Sequence, residues 1–253
     1  MKRKNMAAMV TSIALVGVVA VGGTLALLSQ GSNTVNNTFT VGEGYTTNDI
    51  ILSESDVKQN FDGSYVVNTD TKRGEVVYTA LDGQKRYQTN SYTDLVTGTT
   101  IYKDPMVSIA ANTPSSWVVA HIGQVDAALA TSTFDADNTS WYQVKKENGK
   151  WTVAEKPVGT AENENAPSTI ESDTYYIYEQ VVTKQATVRE LPELFTTLKV
   201  TATALDTGAT SLSDMKVKAG LVQYVEGNDT VEELSNDELN VIMNAVESKL
   251  ALS

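Results

Sequence analysis

From Phe39 to Gln223, apolar and polar residues alternate over short runs rich in Thr, Val, Tyr and Ile, and Gly, Asn, Asp or Pro separates the runs. Alternation with a period of two marks a half-buried β-strand. The pattern predicts strands over residues 37–41, 49–53, 64–68, 75–81, 99–111, 116–122, 141–145, 150–153, 174–183, 198–205 and 215–225. In the last of these, Val217 and Ala219 fall on one face and Lys216 and Lys218 on the other. Asp82-Gly83 and Asn148-Gly149 mark hairpin turns, because both pairs accept the positive φ that tight antiparallel connections need. Residues 155–172 are polar, contain Pro157 and Pro167 and show no apolar period, so they read as a long exposed loop.

The period lengthens only at the C-terminus, where Leu239, Ile242, Met243, Val246 and Leu250 recur at helical spacing. Thr230-Val231-Glu232-Glu233 and Ser235-Asn236-Asp237-Glu238 each offer a capping box ahead of that stripe. The expected fold class is an all-β antiparallel sandwich with a C-terminal amphipathic helix docked on the sandwich edge.

The first residues follow neither period. Lys2, Arg3 and Lys4 precede an apolar run from Met6 to Ala20, and small residues follow. A short basic start, an apolar core and a small-residue end form a secretory signal peptide. The apolar core is short for a membrane span, which takes about 20 apolar residues, and the cations sit where the cytoplasmic side requires them. Thr24 and Ala26 supply the small-x-small pair for a cut before Leu27, with a cut after Ala20 as the alternative. The expected organisation is a signal peptide over 1–26, a β-sandwich over 27–228 and a helical segment over 229–253. N-terminal sequencing of the secreted protein checks this. A start at Leu27 is expected, and a start at Val21 would move the cut to the alternative site.

Composition narrows the chemistry. Of 253 residues, about 227 remain after the signal, which fits one larger β domain or two small ones and is long enough for a real core. Losing three cations moves the formal net charge from −12 to −15, and no basic run is present to neutralise phosphates, so nucleic acid is excluded as a partner. With no cysteine, disulfides and thiolate sites are excluded. His121 is the only histidine, so a His-Glu-x-x-His zinc site cannot form. It shares a strand face with Trp117 and Val119 and reads as a packed histidine. No Gly-x-Ser-x-Gly elbow surrounds any serine. Glu232, Glu233, Asp237 and Glu238 suit a helix N-terminus. Asp135-Ala136-Asp137-Asn138 lacks the Gly and Glu of a calcium loop and reads as solvated. The expectation is no catalytic, cofactor or metal site and no enzymatic activity.

Several stretches carry a resemblance. Gly22-Gly23-Thr24-Leu25-Ala26 and Asn37-Thr38-Phe39-Thr40-Val41-Gly42 come first, followed by the segment 98–109 around Lys103-Asp104-Pro105. Tyr175-Tyr176-Ile177-Tyr178, the Leu191 to Val200 segment and the Met215 to Gln223 strand complete the set. In this order they resemble the TasA/camelysin family of Gram-positive bacteria from residue 1 to about 225. The chain departs from many relatives at Leu27-Leu28-Ser29, where those have an aromatic residue and Asp, and in an enlarged insert over 61–94.

The resemblance implies a jelly-roll-like sandwich, export through a SipW-type signal peptidase, and self-association into extracellular fibres of a biofilm matrix. In that family the fibres grow by donor-strand exchange, which here would use Thr38, Phe39, Thr40 and Val41. Camelysin relatives have been called metalloproteases, but the ligand count above argues against that activity. The expected function is thus a secreted structural subunit of extracellular or cell-surface fibres or biofilm matrix, without a stable membrane span once mature. The alternative is a monomeric secreted adhesion or ligand-binding module in which Phe39 and Val41 start the subunit's own sandwich.

Overall fold

Strands that are apolar on both faces have to lie between two layers, and Ser116–Ile122 is the plainest case, with all seven residues buried. The computed structural model describes residues 30–31, 45–46, 48–69, 75–123, 140–159, 170–200 and 215–252. In chain order the strands are β1 (Gln30–Gly31), β2 (Ile50–Ser55), β3 (Val57–Gln59), β4 (Tyr65–Val67), β5 (Tyr78–Thr79), β6 (Lys85–Tyr87), β7 (Thr100–Tyr102) and β8 (Met106–Ile109). They continue with β9 (Ser116–Ile122), β10 (Trp141–Glu147), β11 (Lys150–Val153), β12 (Thr174–Tyr178), β13 (Arg189–Glu190), β14 (Thr197–Lys199) and β15 (Val217–Gln223). A 3₁₀ turn, Val231–Glu233, precedes helix α1 (Asn236–Leu250).

The fold is all-β and sandwich-like with a C-terminal amphipathic helix, as the patterning predicts. A six-stranded sheet runs β1-β15-β9-β12-β10-β11. Facing it are a five-stranded sheet, β13-β8-β2-β6-β5, and a four-stranded sheet, β14-β7-β4-β3. The pairings are antiparallel except for one parallel contact between Tyr65 of β4 and Ile101 of β7. Val118, Ala120, Ile122, Trp141, Tyr176 and Leu221 of the large sheet pack with Ile50, Ile101, Val107 and Ile109 of the smaller ones.

The second face of the large sheet is equally apolar. Trp117, Val119, Tyr175, Ile177 and Val222 pack with Leu239, Ile242, Met243, Val246 and Leu250. The helix therefore lies across the face of the large sheet, touching β11, β9, β15 and β1, and not on the edge as expected. An edge position would leave the second faces of β9 and β12 in water. The helix starts at Ser235, whose side chain accepts from the Glu238 N–H in a complete capping box. Thr230 makes no such cap and precedes only the 3₁₀ turn, so the first of the two boxes is not used.

Turn chemistry held. Asn148 (φ 49°) and Gly149 (φ 79°) both take the left-handed conformation in the β10–β11 hairpin. The β5–β6 hairpin closes at Ala80 N–H to Gln84 O, 2.8 Å, with Gly83 at φ 88°.

Other expectations need correcting. The run over 99–111 is two strands in different sheets, β7 and β8, parted by Lys103-Asp104-Pro105. Pro105 has no N–H for a ladder and restrains the residue before it. The 155–172 stretch is anchored at both ends, because Val158 and Ile170 are fully buried and the Val158 N–H bonds Trp141 O at 2.8 Å. The 61–94 insert is woven into the fold: it supplies β4, β5 and β6 and the buried residues Tyr65, Arg86 and Tyr87. The predicted strand over 37–41 lies outside the described residues, as does most of 198–205.

Candidate functional site

The large sheet has one edge built unlike the other. β15 is a seven-residue strand, buried from Val217 to Val222, and β9 pairs with its whole length, from Val217↔Ile122 to Gln223↔Ser116. On its other side, among the described residues, the two-residue β1 pairs with it through Gln30↔Leu221 and Gly31↔Gly220. Alternation along β15 sends Val217, Ala219 and Leu221 into the inter-sheet core and Val222 under the helix. Main-chain pairing along the edge of a sheet is the contact by which a further strand is added to it.

The end of the helix is fixed beside this edge. Nδ1 of His121 is 2.8 Å from Leu250 O, and Nε2 is 2.9 Å from Oδ1 of Asp173. The ring stacks on Tyr175 with centroids 4.0 Å apart. Burial, then Asp173 and Glu247, push the Tyr175 hydroxyl up to about 12, so it stays neutral. Lys218 is buried on the helix side and its Nζ donates to Ala251 O at 2.7 Å. Desolvation, then Lys216, holds its ammonium below the ordinary lysine range. A Cβ on Gly123 would come within 2.5 Å of Leu252 Cδ1, so a larger residue after β9 would make the Leu252 side chain shift. Thus His121 is a packed and hydrogen-bonded histidine, as expected, whose job is to hold a helix end.

A second constellation sits where the chain crosses between the smaller sheets. β2 passes to β3 at Asp56, and β7 passes to β8 at Lys103-Asp104-Pro105. Both crossings take peptide groups off the ladders, and buried side chains satisfy them. Asp104 accepts from Ser55 N–H at 2.8 Å and from Ser55 Oγ at 2.6 Å. Arg86, only 2% exposed, pairs with Asp104 Oδ2 at 3.0 Å and donates to Asp104 O and Ser53 O at 2.6 and 3.2 Å. Alongside, Lys103 Nζ contacts Oε1 of Glu54. Asn90 Nδ2 donates to Oε2 of Glu54 at 3.2 Å and to Ser55 O at 2.8 Å.

The signal and assembly residues named from the sequence, Thr24, Ala26, Leu27, Thr38, Phe39, Thr40 and Val41, lie outside the described residues. Gln30 and Gly31, between those two groups, are on the β15 edge. Sequence reasoning missed the Glu54–Asn90–Lys103 and Arg86–Asp104 groups. Their signal was a Lys-Asp pair inside an otherwise apolar strand run. Among the described residues, no group of three or more His, Cys, Asp or Glu is placed to hold a metal ion. No described helix is long and apolar enough to cross a membrane. The comparisons gave no match among protein-family models, curated proteins or solved structures.

Proposed function

We propose that this chain is a secreted structural subunit of extracellular or cell-surface fibres, or of a biofilm matrix, that grows by strand addition at β15. The observation that carries the reading is the β15 edge: a seven-residue strand buried on both faces whose described partner on that side is the short β1, Gln30–Gly31. The segment that would leave its own domain to act as donor adjoins the edge that would receive one. Main-chain hydrogen bonds give such an addition its affinity, and alternate side chains such as Phe39 and Val41 give it register. The basic–apolar–small start supports export, with a SipW-type peptidase as processing partner. The absence of a two-histidine motif supports a non-enzymatic role.

A second reading has its own observation. Gln30 and Gly31 pair with β15 of the same chain, which suits a monomeric secreted adhesion or ligand-binding module that closes its own edge.

Deleting residues 27–41 separates the two. Under strand exchange the truncated protein is soluble and folded but does not elongate, and an added 27–41 peptide binds, raises its melting temperature and caps growth. Under the monomer reading the full-length protein stays a discrete particle in negative-stain images, and truncation only lowers its melting temperature. Normal fibres from the truncated protein would refute the exchange mechanism.

A further inference from the structure

We propose that Lys103 and Asn90 become joined by an intramolecular isopeptide bond, formed with loss of ammonia and promoted by Glu54. One carboxylate holds the two reacting groups: Lys103 Nζ is on Oε1 of Glu54, and Asn90 Nδ2 is 3.2 Å from Oε2. Asn90 Nδ2 also donates to Ser55 O at 2.8 Å, so two acceptors fix which side of the amide carries nitrogen. An amine and a carboxamide bridged by one carboxylate form a nucleophile, an acyl group and a proton shuttle in one place.

The surroundings suit the chemistry. Glu54 and Lys103 are 6% and 8% exposed, which limits the water that would compete as nucleophile. Tyr87, buried, is the cross-strand partner of Glu54. Burial, with the charges of Glu54 and Asp104, pushes the Tyr92 hydroxyl far above the ordinary phenol range, so it stays a neutral wall. The neighbouring guanidinium of Arg86 is already matched by Asp104, leaving Glu54 to Lys103.

The step balances without oxidant or cofactor. The Lys103 ammonium gives one proton to Glu54 and becomes an amine, a transfer that replaces two buried charges by two neutral groups. Nζ attacks Cγ of Asn90 and a C–N bond forms. A second proton leaves Nζ and reaches Nδ2 by way of Glu54. The Cγ–Nδ2 bond breaks and ammonia departs, while Glu54 is left with the first proton. The product ties the segment after β6 to the β7–β8 crossing, a covalent staple in a chain that has no cysteine. Nothing in this bond depends on assembly, so it stands apart from the fibre reading.

Mass spectrometry of the mature, folded protein tests it. The intact mass should fall short of the sequence mass by one ammonia. Chymotryptic cleavage at Tyr92, inside the closed loop, should leave the fragments carrying Asn90 and Lys103 joined under denaturing conditions. Lys103→Arg keeps the ion pair with Glu54 and should restore the full mass, and Glu54→Gln should do so with both reacting groups still present. A full mass in the folded wild-type protein would overturn the proposal. So would an ammonia loss that persists in Lys103→Arg, which places it in a succinimide at Asn90 or at Asn148-Gly149. If Lys103→Arg does not fold, joined or separate wild-type fragments decide the matter alone.

Discussion

Arg86→Ala should destabilise the protein by about 3–5 kcal/mol, because it strands the buried Asp104 carboxylate at the crossing between the smaller sheets. Asp104 would keep Ser55 N–H and Oγ but lose its only cation among the described residues. Two carbonyls, Ser53 O and Asp104 O, would lose a donor as well, and buried acceptors left unmade cost about 1–3 kcal/mol each. Arg86→Lys should fall between, since an ammonium restores the charge but not the fork that reaches side chain and backbone together. Urea denaturation of the three proteins measures this. Combining Arg86→Ala with Asp104→Ala should cost less than the sum of the single changes, because each removes the reason for the other. A loss below about 1 kcal/mol for Arg86→Ala would show that water enters the crossing and the pair is effectively exposed.

That crossing is also where the sequence was hardest to read, and the reason is physical. β9, β12 and β15 announce themselves because apolar side chains on a pleated strand can only mean burial, and Asn148-Gly149 can make one kind of tight turn. Lys103, Asp104, Glu54 and Arg86 carry the opposite sign. A charged residue in a strand ordinarily points to water, so Thr99 to Ala111 read as one strand. Pairing between residues far apart in sequence removes that cost, and pairing over such separations leaves no local trace. Lys218 misleads for the same reason, since its partner, Ala251 O, lies beyond the helix. Val158 and Ile170 were missed because a single apolar anchor has no period. The helix was legible as a helix, but its seat was not: an apolar stripe says that something covers it and not whether that is an edge or a face. The β15 edge shows only once the pairing is known, since two residues such as Gln30 and Gly31 carry no strand pattern.

Met243→Asp should detach the helix from the sheet. Met243 is fully buried between Leu239, Ile242 and Val246 and the sheet face formed by Trp117, Val119, Trp151 and Tyr175. A carboxylate there has no partner and costs several kcal/mol, while truncation to alanine should cost about 2–5 kcal/mol through the cavity alone. The exposed Val241 on the same helix is the control, and Val241→Ser should stay within about 0.5 kcal/mol. The three tryptophans separate the ways of failing. Trp117 and Trp151 belong to the helix–sheet layer, while Trp141 belongs to the inter-sheet core. If only the helix leaves, emission from the first two shifts red, Trp141 stays buried, and a cooperative transition survives at lower temperature. If the large sheet needs its cover to exist, all three shift together and no transition remains. An unchanged melting temperature and an unshifted spectrum would mean that the helix does not sit on this face at all. Partial release bears on the proposed assembly, because α1 touches both β15 and β1. A subunit whose helix is loose would present its strand-accepting edge without the layer that holds it flat, and should then elongate poorly even with residues 27–41 intact.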